Sequence, residues 1–385
     1  MAKSNGSRTE GVWQIILVYI FSRFLLELIG ILAMFYFPSA RNIFSMGDLL
    51  YHQQQPRAIE MWARWDSEWY ILIAEKGYAS YDSYRNAAGG RYLPQETAKF
   101  FPAYPLSMRM VSVLTHNTVL AGLIVSNIAA ILFLYFFYRL SMNLLDDESA
   151  FRACLFYILF PTSLFLSAVY AESVFLAALA ASFYFVEQKR LLPALLAVAV
   201  LVLSRPQGII AVPFLLWLAA LRFSDRRFAA VGALLLASAI ALGSYLFYID
   251  QTFGSFRWIV DTQAYWRGDM KYPFYAFVRF AQSSIAIHGQ HNSLIDFSFA
   301  ILQLLILVLS IRKLPAPYLL YGAAAIVFPL SSSLFSFSRL CLANFPFFLY
   351  LGNRLTGRLA FLMQIAFAFL LSFFMAAFAN WFWVG

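Results

Sequence analysis

Apolar stretches recur along this chain near 12–37, 118–138, 152–168, 172–187, 191–204, 207–221, 228–249, 294–311, 316–331, 340–352 and 359–384. A helix crosses a bilayer with about 20 predominantly apolar residues. The composition agrees: 62% of residues are hydrophobic and only 12% are charged, against roughly 25% charged in a soluble domain. That excess is too large for a core and suits lipid as the solvent. The fold class expected is an all-α polytopic membrane protein with about eleven transmembrane helices.

Charge orders the crossings. The joints 139–152, 187–190, 222–227, 311–313 and 353–358 each carry at least two Lys or Arg. Such joints face the cytoplasm, which also accounts for the net charge of +9 without nucleic acid, because no basic stripe is free of the membrane. The stretches 191–204 and 207–221 meet at Ser204-Arg205-Pro206-Gln207-Gly208 and read either as one kinked span or as two short helices. Only two helices keep every basic joint on one side, so two are expected, with Arg205 near the outer face. The polar start, residues 1–11, is then cytoplasmic and 12–37 is the first span. It is too long for a signal-peptide core and lacks a small-residue cleavage pattern. Trp381 and Trp383 are expected in an interfacial belt outside. Two long outer loops follow, 38–117 and 250–293, within one transmembrane domain spanning 1–385. The segment from Phe101 onward is expected to be a helix lying at the outer interface.

Chemistry concentrates in the first loop, at Arg64-Trp65-Asp66-Ser67-Glu68-Trp69-Tyr70. On a continuous helix Trp62, Asp66, Trp69 and Tyr70 would share a face. An acid held among rings near lipid is partly desolvated and suits a general base taking a proton from a sugar hydroxyl. The plainer reading is an amphipathic interfacial helix with solvated charges.

The order of motifs sharpens this. RWDSEWYILIAEKGY, FFPAYPL, FLSAVYAESVFL, SRPQGI, DTQAYWR and FSRLCLANFPFFLYLG, spread from Arg64 to Gly352, resemble the PIG-V-like mannosyltransferase family, which is similar to the GT-C glycosyltransferases. The resemblance implies a large first outer loop carrying an essential acid, here Asp66. It also implies a polyprenyl-phosphate-linked sugar as donor and a lipid or glycan as acceptor. The eukaryotic members take mannose from dolichyl-phosphate mannose. Inversion at the anomeric carbon is the usual GT-C outcome.

A phosphate leaving group needs cations near the outer interface. Arg205 and Arg339 are placed there by the topology, and Arg267 and Arg64 are further candidates, Arg being suited to bidentate phosphate recognition. A snorkelling role is the alternative for each. Glu172, at the outer start of a helix, either caps it or holds an acceptor hydroxyl or an arginine. Trp65, Trp69, Tyr70, Gln263 and Trp266 are candidates for acceptor or sugar contacts. Arg23 and Glu27, four residues apart in the first span, are expected to neutralise each other.

No metal site is expected. His288 and His291 lack a third ligand, Cys154 and Cys341 lack ligand spacing, and Asp146-Asp147-Glu148 reads as a cap for the helix after it. No cofactor is expected either, although metal dependence stays open. HExxH, Walker A and GxSxG motifs do not occur, which disfavours a zinc protease, an ATP-driven pump and a serine hydrolase. A lipid transporter or flippase is the alternative class; broken helices and an intramembrane ion pair suit it, but no inverted repeat is visible. The location expected is a plasma membrane, or the endoplasmic reticulum in a eukaryote, with the site facing outward.

Overall fold

The computed structural model describes residues 5–40, 55–78, 94–289 and 291–385. Among these the structure is helical, with one isolated bridge between Ala286 and Ser293. The chain opens with α1 (Asn5–Tyr36), the short α2 (Arg57–Glu60) and α3 (Ser67–Lys76). A 3₁₀ turn at Pro94–Lys99 leads to α4 (Ala103–Thr115), α5 (Thr118–Ser141) and α6 (Asp147–Leu159). Then come α7 (Glu172–Glu187), α8 (Leu191–Ser204), α9 (Pro206–Arg222) and α10 (Arg227–Phe253). The second loop holds α11 (Trp258–Arg267) and α12 (Tyr275–Ala281). The remainder is α13 (Leu294–Ser310), α14 (Ala316–Leu330), α15 (Phe337–Leu340), α16 (Phe345–Arg354) and α17 (Gly357–Ala379).

Four helical segments are long and apolar enough to cross a membrane: Glu10–Tyr36, Thr118–Ser141, Ser224–Phe253 and Gly357–Ala379. Leu191–Ser204, Pro206–Arg222, Leu294–Ser310 and Ala316–Leu330 are shorter apolar helices. The long helices leave large apolar side chains on the outside; Phe24, Phe247 and Phe369 are each about two-thirds exposed (65%, 67% and 71%). Water would penalise such a continuous apolar exterior, and hydrocarbon does not. The molecule is a membrane protein. Inside, aromatic rings fill the core, with Tyr157 stacked on Phe348 at 3.7 Å and Phe160 edge-on to Phe299, Phe348 and Phe367.

Two ion pairs settle the path through 191–222. Glu172 begins α7 and Glu187 ends it. Arg205, just before α9, pairs with Glu172, while Arg222, the last residue of α9, lies 2.7 Å from Glu187. So α9 runs parallel to α7, and α8 must run back between them. One kinked span would carry Arg222 far from Glu187. Arg205 makes the reversal in extended conformation, φ −160° and ψ 156°, before the N-terminal Pro206 of α9. A side chain at position 208 would strike the Leu201 carbonyl, so glycine is required there. Glu187 also accepts from the Tyr318 hydroxyl at 2.6 Å, which brings the start of α14 to the same end.

Arg23 and Glu27 do not pair with each other. Arg23 donates to the Ser163 carbonyl at 2.7 Å and the Ile158 carbonyl at 2.9 Å, and Glu27 accepts from Trp62 Nε1 at 2.6 Å. The reason is the break after α6. Residues 160–171 leave the helix for a buried 3₁₀ turn at Ser163–Leu166, and carbonyls freed inside a membrane need donors. The guanidinium supplies them. Asp146 does cap α6, accepting from the Ser149 N–H at 2.9 Å. Cys154 and Cys341 are free and buried.

Candidate active site

The first loop does not form one helix across its motif. α2 ends at Glu60, α3 begins at Ser67, and Trp65 between them has φ 55°. Trp62 and Asp66 therefore do not share a helical face with Trp69 and Tyr70. A left-handed tryptophan costs about 1–2 kcal/mol, and the neighbouring contacts hold it. The Tyr170 hydroxyl donates to the Arg64 carbonyl at 2.9 Å and accepts from the Asp66 N–H at 3.2 Å. The Val169 N–H also donates to the Trp62 carbonyl at 3.0 Å. The turn is thus fixed from residues 169–170, and it presents Asp66 at the N-terminus of α3. Replacing Tyr170 with Phe removes one hydroxyl from two hydrogen bonds. The expected loss is about 1–3 kcal/mol, read as a lower melting temperature in detergent; an unchanged midpoint would mean that the turn holds itself.

Asp66 Oδ2 lies 2.9 Å from Arg339 Nη1, and Arg339 Nε lies 3.2 Å from Glu172 Oε1, the oxygen that also meets Arg205. The four form a relay, Asp66–Arg339–Glu172–Arg205. Glu172 is buried at 3% side-chain exposure, whereas Asp66 stays 32% exposed. Two acids and two arginines balance, which is what burial of such groups demands. Glu172 is therefore more than a helix cap: it holds both guanidiniums. Arg339 also sits among rings, 5.2 Å from Trp383, 5.3 Å from Phe165 and 5.4 Å from Tyr170.

Arg64 and Arg267 are placed otherwise. Arg64 donates to the Glu60 and Ala379 carbonyls and stacks on Trp381 at 4.5 Å, tying the first loop to the end of α17. Arg267 donates to the carbonyls of Phe335 and of Ser333, the latter at 3.0 Å. It thereby fixes the serine-rich turn that carries Arg339. Burial, with the charge of Arg339 close by, brings its guanidinium down to about 10, still protonated at neutral pH. Trp381 and Trp383 do not form an outer belt. Trp381 is 5% exposed, and both pack edge-on against Trp65. The cause is the reversal at Trp381, φ 69°, which turns the chain back over Arg339.

Of the other candidates, Trp65 walls the site together with those tryptophans, Trp69 stacks on Phe100 at 5.7 Å, and Tyr70 is edge-on to Phe100 and Tyr104. Gln263 and Trp266 lie on α11, which packs against the turn Pro94–Lys99. That turn supplies a residue that sequence reasoning missed. The Lys99 ammonium stands 4.3 Å from the Trp266 ring, 5.6 Å from Trp69 and 5.3 Å from Phe100, with Glu96 at 3.7 Å. Desolvation pushes it down to about 8, against the pull of Glu96 and Asp66. Its one sequence signal is its place immediately before FFPAYPL. Tyr170 and Trp383 were missed for the same reason, their roles being long-range. Gln207 and Leu340, close after Arg205 and Arg339 in the chain, join Ile210, Tyr321 and Ala325 in lining a small, mostly apolar cavity. Among the described residues no three of His, Cys, Asp or Glu converge on a metal site.

The sequence model of the family described as Mannosyltransferase (PIG-V) matches residues 13–248, a span that holds Asp66, Lys99, Glu172 and Arg205. No curated protein matches the chain.

Proposed function

The chain belongs to the Mannosyltransferase (PIG-V) family, and from that premise we propose that it moves a mannosyl residue from a polyprenyl-phosphate donor to a hydroxyl of a lipid or glycan acceptor. Asp66 is the general base. It takes the proton of the acceptor hydroxyl, the acceptor oxygen bonds to the anomeric carbon, and the bond from that carbon to the phosphate oxygen breaks. The lipid phosphate leaves with the electron pair, and the configuration inverts. Arg205 and Arg339 stabilise the charge gathering on the leaving phosphate. Arg267 acts through the turn that carries Arg339, and Arg64 through the Asp66 turn.

The observation that supports this most is the relay itself. A partly exposed acid touches an arginine that is otherwise buried, at one end of the bundle. The relay is neutral without substrate, so an arriving phosphodiester competes with Asp66 for Arg339. Binding of the donor then frees the carboxylate to act as a base.

The same reading takes residues 1–385 as one transmembrane unit of GT-C type with eleven crossings. Residues 160–171 and 337–344 complete the crossings begun or ended by the short α6 and α16. The basic joints face the cytoplasm, and the relay faces the outer or lumenal side. The test is to incubate the purified protein in lipid nanodiscs with radiolabelled polyprenyl-phosphate mannose and a panel of lipid and glycan acceptors. Label is expected to leave the donor for acceptor or for water. Intact donor with every acceptor, combined with exchange of the donor between leaflets of vesicles, would overturn the proposal in favour of a flippase.

A further inference from the structure

Lys99 is used by none of the steps above, yet it is a largely buried cation outside the relay. Its side chain is 10% exposed. An ammonium carries three N–H donors, and three rings with one carboxylate at 3.7 Å leave most of that capacity unused. The ring of Trp266 is itself held, its Nε1 donating to Glu96 Oε2 at 3.4 Å. The two loops thus meet on one small constellation: Trp69, buried and stacked on Phe100, from the first, the half-buried face of Trp266 from the second, a donor in Lys99 and an acceptor in Glu96. Flat apolar faces flanked by a paired donor and acceptor match the chemistry of a hexose ring, whose C–H faces stack on aromatics and whose vicinal hydroxyls both accept and donate.

Position selects which sugar. Lys99 is close enough to Asp66 for their charges to act on each other. In an in-line displacement the attacking oxygen and the leaving phosphate lie on opposite sides of the anomeric carbon. The charge of Asp66 acts on Lys99 and those of Arg205 and Arg339 do not, so with the phosphate on those arginines the acceptor is assigned to the Lys99 side of Asp66. We propose that Lys99 and Glu96, between the rings of Trp69 and Trp266, form the subsite for a hydroxylated sugar ring of the acceptor. This rests on the transfer reading above. The charged groups bearing on Lys99 are Glu96 on its own turn and Asp66 before α3, both acidic. Arg267, from the packed helix α11, is turned toward the carbonyls of Ser333 and Phe335.

The experiment uses the protein in nanodiscs with radiolabelled polyprenyl-phosphate mannose, and octyl α-mannoside and octyl glucosaminide as acceptor probes. Release of free mannose and transfer to the glycosides are both followed. In wild type a glycoside is expected to suppress hydrolysis, by accepting the sugar or by excluding water. Lys99→Met is expected to raise the half-effective glycoside concentration about tenfold or more, with the donor KM unchanged, while Lys99→Arg stays near wild type. Between pH 7 and 9 the half-effective concentration is expected to rise in wild type, as the ammonium loses its proton, and to stay flat in Lys99→Arg. Melting temperatures establish that each variant is folded. The subsite is overturned if neither glycoside affects hydrolysis by wild type, if Lys99→Met moves the donor KM alone, or if Lys99→Arg is as impaired as Lys99→Met. No consumption of donor by wild type would instead bring down the transfer reading itself.

Discussion

Asp66→Asn is expected to lower mannosyl transfer about 10²–10⁴-fold, the range that general-base catalysis supplies, and to lower the donor KM, because a neutral amide no longer competes with the phosphodiester for Arg339. Asparagine keeps the shape of the side chain and can still offer its carbonyl oxygen to Arg339 Nη1, now 2.9 Å from Asp66 Oδ2. The turn that positions residue 66 depends on backbone atoms and on Tyr170, so the fold should survive. Initial rates and melting temperatures of the two proteins, measured side by side, check this. A rate within threefold of wild type would sink Asp66 as the base and move attention to Glu172. A rate lost together with the fold would make Asp66 a structural partner of Arg339.

The second large effect is expected at Arg339. Arg339→Met removes the central cation of the relay and leaves Glu172, 3% exposed, with Arg205 alone. Breaking a buried ion pair by deleting one partner costs about 3–5 kcal/mol, so the melting temperature should fall clearly. Transfer should fall about 10²–10³-fold in kcat, as when a preorganised charge-stabilising donor is removed. Arg339→Lys separates the two roles. It keeps the charge but lacks the fork that reaches Asp66 through Nη1 and Glu172 through Nε, so it should restore much of the stability and little of the rate. Full activity in Arg339→Lys would mean that charge alone is needed there.

The relay joins residues that no local pattern connects. Asp66 and Arg339 are 273 positions apart, and Glu172 and Arg205 reach the same point from the ends of different helices. The sequence singled out Asp66 by its cluster of rings and by the family's motif, and Glu172, Arg205 and Arg339 by type and by nearness to helix ends, with Arg64 and Arg267 as further candidates. Packing distinguished them. Arg64 and Arg267 bind backbone carbonyls, where they order the turns that carry Asp66 and Arg339. Arg23 was expected beside Glu27 for the same local reason, and the broken helix after Leu159 claimed it instead.

Hydropathy and charge act over a turn or a span, and these the chain states outright. They determine that it lives in a membrane, that Ser204-Arg205-Pro206-Gln207-Gly208 reverses direction, and that Asp146 caps a helix. The Pro and Gly in that reversal, and the Asx oxygen at that cap, act on atoms only a few bonds away. Which aromatic ring covers which cation is a different kind of fact. Trp383 over Arg339 and Trp266 over Lys99 depend on where separate helices come to rest, and that is fixed by the packing of the whole bundle. Only the tertiary structure decided those pairings, because each unites side chains whose nearness no stretch of the chain specifies by itself.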